Sequence, residues 1–116
     1  MIVGIHGTRN FNDYTIFLRA MGTALSSMSQ EDPEFLIYSA GPKRINEMGM
    51  EFSNISERTL KSRGIKIRLV KVPPKWLKEN ISGIDYLVFF SKPKEPVSDV
   101  VEVAESKDVE VGIYRY

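Results

Sequence analysis

The chain has 116 residues, 42% of them hydrophobic and 27% charged, an ordinary globular composition that excludes a disordered chain and is enough for one domain with a core of its own. It has no cysteine, which excludes a disulfide framework, a thiolate nucleophile and a cysteine-held metal, and one histidine, His6, which excludes a metal site built on two imidazoles of one chain. Sixteen basic against fifteen acidic residues leave a formal charge of +1, so there is no bulk drive toward nucleic acid and any charged partner must be recognised locally.

Along the chain, apolar clusters of strand length alternate with longer helical patterns. Ile2-Val3-Gly4-Ile5 reads as a first strand, ending at Gly7-Thr8-Arg9. A helix is expected over Tyr14–Met28, where Ile16, Phe17, Ala20, Met21, Ala24, Leu25 and Met28 recur at helical spacing and Asp13 or Asn12 can cap the start. Phe35–Tyr38 is a second strand running into the loop Ser39-Ala40-Gly41-Pro42-Lys43-Arg44. A second helix over Ile45–Ser62 stops at Arg63-Gly64, a basic last turn followed by a C-cap glycine, before a strand over Ile65–Val70. Pro73-Pro74 opens a loop or short helix to Asn80. The near-continuous apolar run Tyr86–Phe90 is the strand expected at the centre of the sheet, buried on both faces. Pro96 fits the first turn of a helix running to about Lys107, and Val109–Tyr114 is the last strand.

This alternation predicts an α/β fold: a doubly wound, mainly parallel five-stranded sheet with helices on both faces, Rossmann-like and in a single domain. No apolar run is long enough to span a bilayer and the amino terminus lacks a signal-peptide pattern, so a cytoplasmic chain without a membrane partner is expected. In such sheets ligands bind at the carboxyl ends of the strands. That rim collects Gly7, Thr8 and Arg9, then Ser39, Gly41, Lys43 and Arg44, then Ser91, Lys92 and Lys94. Glycines that permit close approach, helix starts with unpaired N–H groups and cationic side chains suit an anion better than a cation. His6, at a strand end, reads either as a pocket group or as a packed structural residue, the commoner use of a lone histidine. Trp76 could stack on a base or, more simply, cover an edge of the core.

The blocks HGTRNFNDY, LIYSAGPKRINEMGMEF, GIKIRLVKVPPKW and GIDYLVFFSKPKEPVSDVVEVAESKDVEVGIY, in that order, resemble the small stand-alone members of the SLOG superfamily, which also contains the lonely-guy nucleotide hydrolases and the DNA-processing Smf proteins. The resemblance implies a pocket for a nucleotide or nucleotide-derived ligand in which Gly7, Thr8 and Arg9 carry over directly, with Asp13 as a helix cap. Ser39 and Gly41 match the second motif, where Ala40 and Arg44 replace glycines and Asn46 stands in place of an aspartate. The third motif departs further: Pro96-Val97 replaces the Gly-Thr that opens the last helix in the family, and proline has no N–H to offer a phosphate.

Three expectations follow. The first is binding or sensing of a nucleotide-like small molecule without efficient turnover, through Gly7, Thr8, Arg9, Ser39, Gly41, Arg44, Asn46 and Ser91, with no cofactor and no metal. The second is hydrolysis of a nucleoside monophosphate N-glycosidic bond, with Arg9 or Arg44 on the phosphate and one of Glu47, Glu51, Glu95 or Glu102 as acid or base. The third is a protein-binding factor of a bacterium or phage, acting on a host protein from an altered scaffold. A homodimer is also allowed, through Met48, Met50, Phe52 and Ile55 of the second helix.

Overall fold

The computed structural model describes residues 1–96 and 98–116. Five strands, β1 (Ile2–Gly7), β2 (Glu34–Ser39), β3 (Lys66–Lys71), β4 (Tyr86–Ser91) and β5 (Glu110–Arg115), form one sheet in the order β3-β2-β1-β4-β5 with every neighbouring pair parallel. The helices are α1 (Tyr14–Ser26), α2 (Lys43–Ser62), α3 (Pro74–Glu79) and α4 (Asp99–Ser106), with a 3-10 turn at Ile81–Gly83. The expected doubly wound architecture is therefore present, with the sheet parallel throughout. No helix among the described residues is long and apolar enough to cross a membrane.

Strand alternation sorts the core into two halves. Val3, Ile5, Phe35, Ile37, Val88 and Phe90 point to the face covered by Phe17 and Met21 of α1 and Ile45, Met48 and Phe52 of α2. Leu87 and Phe89 point the other way, onto Leu77 of α3 and Val100, Val101 and Ala104 of α4. Each large side chain buried there is worth about 1.5–3 kcal/mol of transfer free energy, which holds the two helical layers to the sheet. Met48 and Phe52 are spent in this core and are not free to form a dimer contact.

Two placements differ from the sequence expectation. The central strand is β1, not β4, although all six residues of β4 are buried. A strand with neighbours on both edges and helices on both faces can read as continuously apolar wherever it stands in the sheet, as β4 does, and Gly4, His6 and Gly7 dilute that signal in the central β1. The last helix begins at Asp99 rather than at Pro96, because the Ser98 hydroxyl caps it by accepting from Val100 N at 3.2 Å. Val97 lies outside the described residues. Asp13 is the cap of α1, its Oδ1 accepting from Ile16 N at 3.1 Å. Gly64 takes φ +77° just after α2, as the Arg63-Gly64 stop signal requires.

Replacing Asp13 with alanine removes a capping acceptor and leaves the Ile16 N–H unpaired. Urea unfolding of Asp13→Ala should lose about 1 kcal/mol against the native chain; an unchanged midpoint would show that the cap contributes nothing.

Candidate functional site

The strand order reverses between β1 and β4, where β1 leads outward to β2 and β3 while β4 lies on its other side. A crevice is expected outside the carboxyl ends of these two strands. Side chains of this chain fill it. Phe11 is buried and stacks on Phe90 with ring centroids 4.3 Å apart, and Tyr116 meets Phe11 edge-on at 4.9 Å. The Thr8 hydroxyl pairs with the Tyr116 hydroxyl, and Thr8 N donates to Phe90 O at 2.9 Å. Ser91 is buried, and Arg115 donates to Ser91 Oγ at 3.4 Å and to Lys92 O at 3.1 Å.

Gly7 serves the same packing. A Cβ there would lie 2.6 Å from Ile45 Cδ1 and 2.8 Å from Phe90 O, so the space a side chain would need is already taken by α2 and β4. Arg9 is exposed on the rim. Arg44 ties α2 to the loop before α1: its Nε donates to Asn12 Oδ1 at 2.6 Å, and Nη1 lies 3.8 Å from Glu47 Oε1 on its own helix.

The open space lies one strand away. A groove of about 860 Å³ runs along α2 from its first turn, lined at one end by Gly41, Pro42, Lys43 and Asn46 and farther along by Glu47, Met50, Glu51, Lys71, Val72 and Pro74. Its turn is held by a hydrogen-bonded clamp. Asn46 Oδ1 accepts from the buried Ser39 hydroxyl and from Gly41 N at 2.9 Å. Because backbone N–H can only donate, the oxygen of Asn46 must face it, which leaves the two amide hydrogens of Nδ2 for other partners. Gly41 has φ +77°, a conformation that side-chain-bearing residues rarely adopt.

His6 braces this turn from the sheet. Its Nδ1 lies 2.9 Å from Gly41 O and 3.1 Å from Ala40 O. Both partners are carbonyls, so Nδ1 carries the hydrogen, and neutral His6 has its lone pair on Nε2. Burial holds the His6 pKa below its ordinary 6.5, outweighing the two carbonyls and Asp99, which act the other way. His6 is thus a positioning residue for the turn.

The start of α2 is electrically open. Its cap residue is Pro42, which has no side-chain acceptor, and its first turn holds no acidic residue. Ile45 N and Asn46 N bond to Pro42 O, while Lys43 N and Arg44 N make no hydrogen bond among the described residues. Two free N–H groups at the positive end of a twenty-residue helix, with the Lys43 and Lys71 side chains on the same groove, make this end of the groove anion-attracting, while Glu47 and Glu51 make the part farther along α2 acidic.

Of the residues expected from sequence, Gly41 and Asn46 line the groove and Ser39 stands directly behind Asn46. Gly7, Thr8 and Ser91 belong to the filled crevice. Lys71, Met50, Val72 and Pro74 were not among the sequence candidates; the one signal for them was a lysine closing β3, since no motif marks the outer face of a helix. Trp76 packs on Tyr38 with centroids 4.7 Å apart and lies outside the groove, in keeping with an edge-covering role.

Removing the Asn46 acceptor strands the buried Ser39 hydroxyl and Gly41 N. Asn46→Ala should lower unfolding free energy by about 1–3 kcal/mol, measured in urea, whereas a loss below about 0.5 kcal/mol would mean that water replaces the clamp. The depressed His6 pKa gives a pH dependence of definite sign. Above the unfolded-state value near 6.5, folded and unfolded chains are equally neutral at this residue; as pH falls from there toward the folded pKa, only the unfolded chain gains the proton, so stability is lost. His6→Asn should flatten thermal stability between pH 7 and the folded His6 pKa, and a variant that keeps the full slope would assign it to other groups. No protein-family model, curated protein or solved structure matches this chain, so the chemistry of the groove rests on its own residues.

Proposed function

We propose that the protein binds a nucleotide or nucleotide-derived ligand in the groove along α2, at the carboxyl ends of β2 and β3, as a binding or sensing domain. The observation that carries this reading is the uncapped start of α2, where two unpaired N–H groups, Lys43 and Lys71 offer a phosphate charge-assisted donors. Farther along, Met50, Val72 and Pro74 supply the apolar surface a base needs, and the exposed carboxylates of Glu47 and Glu51 can accept from ribose hydroxyls. Similarity to the SLOG superfamily, proposed on the motifs around Gly7-Thr8-Arg9 and Ser39-Ala40-Gly41, agrees with this ligand class. It differs in where the phosphate sits.

A second reading has one observation in its favour. Of the four glutamates considered for N-glycosidic hydrolysis, Glu47 and Glu51 border the groove, while Glu95 and Glu102 do not. Release of free base from a nucleoside monophosphate, lost in Glu51→Gln, would establish turnover.

Calorimetric titration with nucleoside mono- and diphosphates tests the binding reading. Lys43→Glu and Lys71→Glu should each weaken binding at least about tenfold, since each turns an attraction at the phosphate into a repulsion. Arg9→Ala should change affinity by less than about threefold, within the range of a distant, screened charge. Loss of binding in Arg9→Ala with Lys43→Glu unaffected would return the phosphate to the β1 loop. No heat with any nucleotide would sink the reading.

A further inference from the structure

The face of the sheet away from α2 is only partly covered. Pro74 starts α3 and Asn80 ends it after six residues, its backbone N–H and its Nδ2 both donating to Trp76 O. So short a helix leaves Ile2 of β1 and Tyr38 of β2 half-buried beside it. With Trp76, Glu79, Asn80 and Ile84 they wall a cleft of about 390 Å³. It shares no lining residue with the groove along α2.

The shape of the wall limits what fits. Trp76 and Tyr38 meet at 49° with centroids 4.7 Å apart, and both rings keep part of their surface in solvent. Rings set at that angle cannot sandwich a flat base, which needs parallel faces, whereas a compact rounded group at their junction touches both.

The rim sets the sign of the charge. Glu79 lines the cleft, and Asp85 stands beside it, its Oδ2 accepting from Ile2 N at 2.7 Å. Each cation in the neighbourhood is turned to an acid: Lys75 lies 4.0 Å from Glu79, Lys78 donates to Asp99 at 2.9 Å, and Arg68 lies 3.7 Å from Glu34. Only Lys75 competes for a carboxylate of the cleft, and its side chain is 84% exposed, so that pair is weak and readily exchanged. An anion is disfavoured here. A sugar would need several fixed donors, and Asn80 Nδ2 is already engaged by Trp76 O.

Aromatic faces attract a cation, and a methylated ammonium, with little water to lose, is the form they hold best. We propose that this cleft binds the quaternary ammonium group of a small molecule, its methyl groups against Trp76 and Tyr38 and its charge balanced by Glu79. Ile2 and Ile84 complete the apolar wall. About 390 Å³ is the scale of a small-molecule site rather than of a track for an extended chain. Binding here requires nothing of the groove along α2.

Trp76 is the chain's one tryptophan, so its fluorescence and its indole N–H signal in NMR report on this cleft alone. Choline should move both saturably at constant ionic strength. Neohexanol, the same shape with carbon in place of the charged nitrogen, should bind at least about tenfold more weakly. Glu79→Gln and Tyr38→Leu should each weaken choline binding about threefold, while Lys75→Gln, which frees Glu79, should not weaken it. Glu79 and Lys75 are exposed, so their variants keep the fold, and circular dichroism checks Tyr38→Leu. Equal affinity for choline and neohexanol overturns the proposal, as do Trp76 signals unmoved by choline or a choline affinity unchanged in Glu79→Gln. A trimethyl-lysine peptide that binds far more tightly than choline would give the cleft to a protein tail and overturn the small-molecule assignment.

Discussion

A peptide strand has a direction, and in this fold all five run the same way. Parallel pairing brings every strand's carboxyl end to one rim, so residues that are distant in sequence, from Arg9 to Arg115, share one surface. Each strand there ends in or is soon followed by a cation: Arg9 after β1, Lys43 after β2, Lys71 closing β3, Lys92 after β4 and Arg115 closing β5. The opposite rim takes Asp32, Asp85 and Asp108 just before β2, β4 and β5. The carboxyl-end rim is thereby rich in cations, while Arg63, Lys66 and Lys107 mix with the aspartates of the opposite rim, and the helix starts that follow β2 and β4 add their positive ends to the cationic side.

That polarity does not by itself make a site, because space has to be left for a ligand. At the point where strand order reverses, the chain uses its space on itself: Phe11, Phe90 and Tyr116 stack, Thr8 and Tyr116 share a hydroxyl contact, and Ile45 occupies the position a side chain at residue 7 would need. One strand over, the Ser39–Asn46–Gly41 clamp and His6 fix a turn whose next two N–H groups stay unpaired beside an open groove. The two places are chemically opposed, one filled by rings and hydroxyls that pair with one another, the other rigid in its frame and unsatisfied at its surface. Unpaired donors beside open space stand in the second.

The order and type of the elements were legible because they rest on local rules: helical spacing of apolar residues in α1, proline starting α3, and glycine with positive φ ending α2. The position of β4 was not, since burial on two faces looks the same in a central strand and in its neighbour. The candidate site was legible only in part. Gly41 and Asn46 stood out because their loop breaks the apolar pattern at a strand end. Gly7 and Thr8 stood out for the same reason, yet they serve packing, and nothing local distinguishes a glycine that admits a ligand from one that admits Ile45. Lys71 and Met50 reach the groove through tertiary proximity alone, which no spacing encodes. Of the four apolar residues that would allow a homodimer through α2, Met50 and Ile55 are surface residues, but Met48 and Phe52 proved to be core.

The central claim is that an anion is held by the free start of α2 and not by the filled crevice between β1 and β4. Nitrogen-15 amide shifts followed by NMR during titration with a nucleoside monophosphate test it most directly. The account predicts the largest shifts at the Lys43 and Arg44 amides and the Asn46 side-chain amide, with Thr8 and Ser91 unmoved. Shifts centred on Gly7, Thr8 and Arg9, or none at all at the start of α2, would contradict it.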